Sequence, residues 1–378
     1  MTSSNVKPFF VIQDFLLLEE ICNIACSYCE GYYHDGIPFK RNNDRLIMPA
    51  SWMGKLKLIP AIKEFIKDSL SIDDLFRIAD ETLKRVAAIA DIPILKISGG
   101  EIYVINEIHD FIKRLAPRYE QLQILTNGTL LTPKKVSELR SIGNINLQIS
   151  LDGHTPEMNH ARVQNPKMTQ HILMIIDEAA RAGINLEVNC VLTSYNTAGL
   201  EKFLERLERH DNLLLLPRPV RGAPMRLLKP NEDQIRSFGN FVRKYEGHKN
   251  LPPVEYLLRV HRTLEQGNRS WPCYTPHTVL GSTYLGRVDT CTCGGHLPVV
   301  GNLFKDSRKT IETKNSIEHF PPQDAIAKCG NCVTNYEIID LYIDGEITLD
   351  RILKIPLYNG VRTSSNLQKI KQKLKGSI

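Results

Sequence analysis

No apolar run in the 378-residue chain approaches the length of a membrane-spanning helix. The N-terminus lacks a signal-peptide pattern: Met1 to Lys7 is polar, and Gln13 and Asp14 interrupt the apolar stretch from Phe9 to Leu18. These two absences argue against membrane anchoring and secretion and lead us to expect a cytoplasmic protein with reduced thiols. Low-complexity tracts, internal repeats and nucleic-acid-binding motifs are also missing. The net charge of +6 suits an acidic partner but does not indicate nucleic acid. Hydrophobic residues at 42% and charged residues at 24% are ordinary for a globular protein, and the length allows one large domain or two of usual size.

The nine cysteines, an odd number, are grouped. Cys22, Cys26 and Cys29 lie within one short stretch at C-x3-C-x2-C spacing. Cys190 stands alone. Cys273, Cys291, Cys293, Cys329 and Cys332 form a late set. In a reducing compartment such clusters bind metal or catalyse more often than they form disulfides. Three thiolates in one loop can grip one inorganic centre, and a four-iron cluster normally takes four. Three would leave one iron open to another molecule.

Between these groups, short apolar strands alternate with amphipathic helices. The pattern predicts strands at the apolar segment ending before Cys22, Pro93 to Ile97, Leu122 to Leu125, Ile145 to Ile149, Leu186 to Leu192 and Leu213 to Leu216. It predicts helices from a Ser71 or Asp73 cap to about Ala90, from Asn106 to Leu115, from the Thr132-Pro133 pair to Ser141, and from Met168 to Ala182. Another starts at Asn196 or Thr197. Residues 31–70 read as a long loop with some helix near Ala61 to Lys67. Six alternations over the first 220 residues or so mean parallel βαβ units. The polar clusters Ser98-Gly99-Gly100-Glu101, Thr126-Asn127-Gly128-Thr129 and Ser150-Leu151-Asp152-Gly153 each follow a strand. In parallel β/α folds they converge, with the cysteine trio, on one mouth.

The trio with Tyr28 before its last cysteine, followed by Gly99-Gly100-Glu101 and Ser150-Leu151-Asp152-Gly153, resembles the radical S-adenosylmethionine (radical SAM) enzymes over residues 10–220 or so. The resemblance implies an α/β fold with a partial (β/α)6 TIM-type barrel. It implies a [4Fe-4S] cluster on Cys22, Cys26 and Cys29, with SAM chelating the open iron. One electron would split SAM into methionine and a 5′-deoxyadenosyl radical that takes a substrate hydrogen atom. By the same resemblance Tyr28 packs near adenine, Gly99 and Gly100 let the backbone approach the methionine end, and Glu101 accepts from its ammonium. Ser150 and Asp152 contact ribose or carboxylate, Arg162 pairs with the carboxylate, and Leu192 is a further SAM contact. The plain readings of the same residues are a tight turn at Gly99-Gly100, a solvated helix residue at Arg162 and a zinc knuckle at the trio.

The late cysteines, with Gly286 five residues before Cys291 and a Cys329-x2-Cys332 pair, resemble the auxiliary-cluster extension called SPASM or twitch. No cysteine follows Cys332, which favours the shorter twitch form: one auxiliary four-iron cluster on Cys273, Cys291, Cys329 and Cys332. Cys293 is an alternative to Cys291, and a structural zinc site is the plain reading. Val300-Gly301-Asn302-Leu303 looks like the connecting hairpin. Cys190 is either a buried apolar residue or a catalytic hydrogen-atom donor facing the barrel. Arg218, Arg221, Arg226 and Lys229 follow the sixth strand and suit an anionic part of the substrate. The lysines of the C-terminal tail read as a solvated helix end.

The expected organisation is a barrel over residues 1–230, a helical connector over 231–270, a small twitch-like auxiliary-cluster domain over 271–340 and a C-terminal extension over 341–378. The expected activity is hydrogen abstraction by a radical SAM oxidoreductase or maturase, reduced by a flavodoxin or ferredoxin. The substrate is a peptide undergoing crosslinking, epimerisation or thioether formation in natural-product biosynthesis, or a small molecule such as a sugar or aminocyclitol that is dehydrogenated or epimerised. Fewer than 25 residues precede the trio, so no separate leader-peptide-binding domain is expected there. A radical SAM methyltransferase and a non-enzymatic zinc-binding scaffold are the competing classes.

Overall fold

The computed structural model describes residues 7–17, 22–24, 26–29, 41–42, 45–46, 70–163, 165–221, 225–289, 291, 299–307 and 332–376. The predicted helix at Ala61 to Lys67, and the ligand candidates Cys293 and Cys329, lie outside them.

Six parallel strands form the first part of one sheet: β1 Ile12–Leu16, β2 Ile94–Ser98, β3 Gln121–Thr126, β4 Ile145–Ser150, β5 Asn185–Leu192 and β6 Leu213–Pro219. Five helices alternate with them: α1 Ile72–Ile89, α2 Ile108–Leu115, α3 Pro133–Ile142, α4 Pro166–Arg181 and α5 Leu200–Leu207. Their starts follow from local chemistry. The Ser71 side chain accepts from the Asp74 amide ahead of α1, and Thr132 accepts from the Lys135 amide with Pro133 in the first turn of α3. Each helix buries one apolar stripe on the sheet; in α1 it is Leu75, Ile78, Ala79, Leu83 and Val86.

The helices α6 Glu232–Lys244 and α7 Val254–Gln266 follow, the latter reaching β6 through the Tyr256 hydroxyl, which donates to the Pro217 carbonyl at 3.1 Å. Three later strands, β7 Val279–Thr283, β8 Arg287–Asp289 and β9 Val299–Asn302, do not form a sheet of their own. The nine strands run in the order β9-β8-β7-β1-β2-β3-β4-β5-β6. Strand β7 is parallel to β1, with Ile12 opposite Val279, and β8 and β9 are antiparallel additions. The boundary expected at residue 271 is therefore no break in the sheet. The reason is backbone pairing: the free edge of β1 is satisfied by β7 instead of being left open. Among the described residues no helix is long and apolar enough to cross a membrane.

Strand alternation decides which residues face the lumen. Asp14, Lys96, Gln123, Gln148 and Glu187 form a buried polar layer across it. Lys96 Nζ pairs with Asp14 at 3.1 Å, and the Gln123 and Gln148 side-chain amides both donate to Glu187 Oε2 at 2.7 Å. The C-terminal segment enters this lumen. Tyr336 donates to Asp14 and receives from Lys96, and α8 Glu337–Asp344 is buried from Glu337 to Ile343. The last helix, α9 Val361–Lys375, closes the N-terminal end of the barrel. Asn366 Nδ2 donates to the Phe10 and Asp91 carbonyls just before β1 and β2, and Glu120, just before β3, accepts from the Arg362 and Thr363 amides. Residues 341–376 are thus bound into the barrel core, with Leu367 and Leu374 in its largest apolar cluster.

Truncating Asn366 to Ala removes a buried donor that ties α9 to two strand entries. We expect a loss of about 1–3 kcal/mol in urea unfolding with an unchanged m-value; an unmoved midpoint would show that α9 contributes nothing through this contact.

Candidate active site

The site gathers at the C-terminal ends of β1 to β5. Its centre is Asp152, fully buried two residues beyond β4. The Asp152 carboxylate accepts from the Val191 amide at 2.9 Å and from Arg162 Nη2 at 3.1 Å, and takes the Tyr28 hydroxyl proton as a third hydrogen bond. Its backbone is held as firmly. Asn159 Oδ1 accepts from the Asp152 amide at 2.9 Å, and Asn196 Nδ2 donates to its carbonyl at 2.8 Å. Next to it Gly153 has no room for a side chain: a Cβ there would sit 2.3 Å from Met158 Cβ. The Asp152 turn is therefore clamped from β4, β5 and the 154–163 loop at once.

Through Tyr28 the same carboxylate holds the cysteine loop. The Arg162 guanidinium lies 5.4 Å from the Tyr28 ring centroid, a buried cation–π contact, and the Ser27 amide donates to the Ala161 carbonyl at 2.7 Å. Cys22, Cys26 and Cys29 are free thiols, each half-buried. Asn127 Nδ2, at the end of β3, lies 3.7 Å from Cys22 Sγ. Burial pushes the Cys26 thiol up to about 12, and the Arg162 charge pulls against it. Burial likewise pushes Cys22 up, opposed by hydrogen bonds from the Ile24 backbone and Asn127. A metal centre would remove those protons, and Asn127 and Arg162 favour the anionic sulfurs that remain. Three thiols on one loop with such donors beside them fit a cluster bound by three cysteines. Among the described residues the buried Arg162 Nε has no partner. An unsatisfied guanidinium N–H beside the thiols fits a carboxylate-bearing cofactor.

Glu101, Gly99 and Gly100 follow β2. The two glycines are half-buried bends. Glu101 is buried, and its carboxylate accepts from the Tyr103 amide, the Thr126 hydroxyl and the Asn127 amide. It fastens the Thr126-Asn127-Gly128 turn, where Gly128 takes a φ of +77°, and so aims Asn127 at Cys22. Three of about four acceptor directions are used, which leaves one for an incoming donor. Burial pushes the Glu101 carboxyl up to about 7, against those three hydrogen bonds. Ser150, half-buried at the end of β4, is on the lumen face.

Two sequence expectations fall away from the mouth. Glu187 faces the lumen, so strand alternation turns Cys190 and Leu192 to the helix side. Both are fully buried in the main apolar cluster, and the Cys190 thiol donates to the Asp152 carbonyl at 3.5 Å. Cys190 is therefore a core residue behind the Asp152 turn, not a donor facing the barrel, and the Leu192 side chain points away from the mouth.

The late cysteines are partly placed. Cys273 is buried, while Cys291 and Cys332 are half-buried. Arg221 Nη1 lies 3.8 Å from Cys332 Sγ, and Arg269 Nη1 donates to the Cys332 carbonyl at 3.1 Å. Burial and the nearby Asp340 push the Cys273 thiol up, and the Arg269 charge pulls against them. Sequence reasoning named Asn127 only within a polar cluster and Asn196 only as a helix start, gave neither a role of its own in the site, and did not name Asn159. Only Asn127, in a polar cluster after a strand, carried a local signal; Asn159 and Asn196 act through contacts that spacing does not reveal.

A parallel β/α barrel with a three-thiol loop and a buried acid–arginine pair at its mouth is the layout of an enzyme that works through a bound inorganic centre. Residues 18–207 match the Radical SAM superfamily, and the chain belongs to that superfamily. The family implies a [4Fe-4S] cluster and SAM. The chain is 28% identical over 173 residues to a GTP 3′,8-cyclase of Sulfurovum, an alignment covering 46% of this chain and 43% of that protein. It thus spans under half the length of this curated relative. In three dimensions it resembles SuiB of Streptococcus suis bound to the precursor peptide SuiA, with TM-score 0.55, 13% identity, and 85% and 67% of the two chains covered. It also resembles anSMEcpe with bound AdoMet and a Cp18Cys peptide, with TM-score 0.52, 13% identity, and 98% and 97% covered. These likenesses show the fold.

Asp152→Asn leaves the buried Arg162 without a counter-charge, so we expect a loss of about 3–5 kcal/mol and a reconstituted protein with reduced iron. Tyr28→Phe removes one hydrogen bond and costs about 1 kcal/mol. Equal, small effects on urea midpoint and iron content would contradict the central place of Asp152. The Glu101 shift has a sign: between its ordinary value of 4.5 and about 7 the folded protein holds a proton that the unfolded chain releases. Stability from this group is full below 4.5 and is lost as pH rises to about 7. Urea midpoints measured at stepped pH should fall less steeply across that window in Glu101→Gln than in the wild type; parallel curves would refute the assignment.

Proposed function

We propose that the protein is a radical SAM enzyme that abstracts a hydrogen atom from a peptide and so brings about a crosslink, an epimerisation or a thioether. The observation that carries this reading is the buried Asp152 carboxylate at the barrel mouth, which holds Tyr28 of the three-cysteine loop and Arg162, whose Nε has no partner among the described residues. When bound, the cluster supplies one electron that cleaves SAM to methionine and a 5′-deoxyadenosyl radical able to take a substrate hydrogen. The chain's own residues do the rest. Cys22, Cys26 and Cys29 hold the cluster. Arg162 offers its free N–H to the SAM carboxylate and Glu101 its remaining lone pair to the ammonium. Gly99 and Gly100 admit the methionine end, Ser150 and Asp152 lie on the ribose side, and the Tyr28 ring bounds the adenine side. The close packing behind Asp152 keeps water from the reacting centre.

A second, auxiliary cluster of twitch type on Cys273, Cys332, Cys329 and either Cys291 or Cys293 belongs to the same reading. It is supported by Arg221 beside Cys332 Sγ and by Arg269, whose charge acts on Cys273. The peptide substrate is supported by the fold shared with peptide-bound SuiB and anSMEcpe. The net charge of +6 favours an acidic flavodoxin or ferredoxin as reductant.

Anaerobically reconstituted protein should carry about eight irons, about four after Cys22, Cys26 and Cys29 are changed to Ala, and about four after Cys273 and Cys332 are changed instead. With dithionite and SAM, the wild type should release 5′-deoxyadenosine and methionine and the trio variant none. Colourless protein containing zinc, or S-adenosylhomocysteine without 5′-deoxyadenosine, would overturn the proposal.

A further inference from the structure

The four cations expected beyond the sixth strand separate in space, because β6 runs on to Pro219 and takes in Arg218. Arg221 turns to Cys332, Arg226 is exposed and Lys229 is half-buried outside the strand. Arg218 differs. It is paired with Val191 in the β5–β6 register, two residues beyond Leu216, which is paired with Asn189, and four beyond Leu214, which is paired with Glu187. Because Glu187 faces the lumen, Asn189, Val191 and Arg218 share that face. The Arg218 guanidinium is half-buried and has no hydrogen-bond or ion-pair partner among the described residues, although its charge reaches Glu187 and Tyr256.

Below it the lumen holds acceptors without donors. Asn189 is 5% exposed and Gln123 is fully buried, and among the described residues neither Asn189 Oδ1 nor Gln123 Oε1 has a partner. Both amides lie on the lumen face, beside or within the Glu187 layer. Buried acceptors left unpaired cost about 1–3 kcal/mol each, so a ligand that brings N–H groups is favoured there. A guanidinium at the rim takes a carboxylate in a two-pronged contact. A polyphosphate is disfavoured, because Arg218, the cation at the rim, would face several negative charges above a layer in which Lys96 is already paired with Asp14 and Glu187 adds a further carboxylate.

We propose that the lumen between Arg218 and the Glu187 layer is a substrate subsite for a carboxylate flanked by amide N–H groups, the chemistry of an acidic residue or the C-terminus of a peptide. This rests on the peptide reading above and narrows it: the modified residue lies next to a carboxylate. Arg218 binds that carboxylate, and Asn189 Oδ1 and Gln123 Oε1 accept from neighbouring N–H groups.

The test is equilibrium dialysis of the full-length, cluster-reconstituted enzyme with SAM against four labelled probes: N-acetyl-Gly-Glu-Gly-amide, N-acetyl-Gly-Gln-Gly-amide, N-acetyl-Gly-Gly with a free carboxylate, and GTP. The wild type should retain the Glu probe at least about tenfold better than the Gln probe. Arg218→Met should bring that ratio to about one and Arg218→Lys should keep part of it, with SAM binding and iron content unchanged in both. Preference for the Glu probe over N-acetyl-Gly-Gly assigns the subsite to a side chain, and the reverse assigns it to a C-terminus; either supports the subsite. A Glu-to-Gln preference that survives in Arg218→Met overturns the subsite and leaves the peptide reading standing. Retention of GTP with no retention of any peptide probe overturns both.

Discussion

One buried carboxylate connects the parts that have to work together. Asp152 takes hydrogen bonds from a strand amide, an arginine and a tyrosine, and its own backbone is fixed by two asparagines. A buried charge is stable only when such partners surround it. Here they come from the cysteine loop, the 154–163 loop and β5, so the node that satisfies the charge also sets the distance between the three thiols and the barrel mouth. Cys190, behind it, supplies packing and a weak S–H contact.

Beneath the mouth the barrel is filled from the far end of the chain. Tyr336 caps the Asp14–Lys96 pair, and α9 seals the strand entries. The lower lumen is thereby closed by protein, and Gln123, Gln148 and Glu187 form a hydrogen-bonded polar layer across it. The added β7 to β9 hairpin brings Cys291 to the β1 side of the same sheet.

Much of this was legible in the residues. The cap at Ser71, the Thr132-Pro133 start, the six strands and the polar clusters after them follow from local chemistry and hydrophobic period; the structure shows all of them, with the first strand shorter and the sixth running on to Pro219. The trio's three-thiol spacing announced an open inorganic site. What was hidden depended on pairing across long separations or on strand phase. Asn366 meets Phe10 across almost the whole chain, and nothing in a helix of Lys, Gln and Leu declares that partner. Cys190 reads as inward or outward with equal ease until the Glu187–Gln148 contact fixes the phase of β5. Arg218 and Arg221 look alike in sequence, yet one faces the lumen and the other a cysteine sulfur, because a two-strand register separates them.

The proposed function requires a cluster held by Cys22, Cys26 and Cys29 whose remaining iron would take SAM, with Arg162 and Glu101 positioning it. Electron–nuclear double resonance on the reduced, reconstituted enzyme with SAM labelled by 15N at the amino group and 17O at the carboxylate measures this directly. The account predicts strong hyperfine coupling of both labels to the cluster in the wild type and weakened carboxylate coupling in Arg162→Met. A cluster signal with no coupling to either label would contradict it.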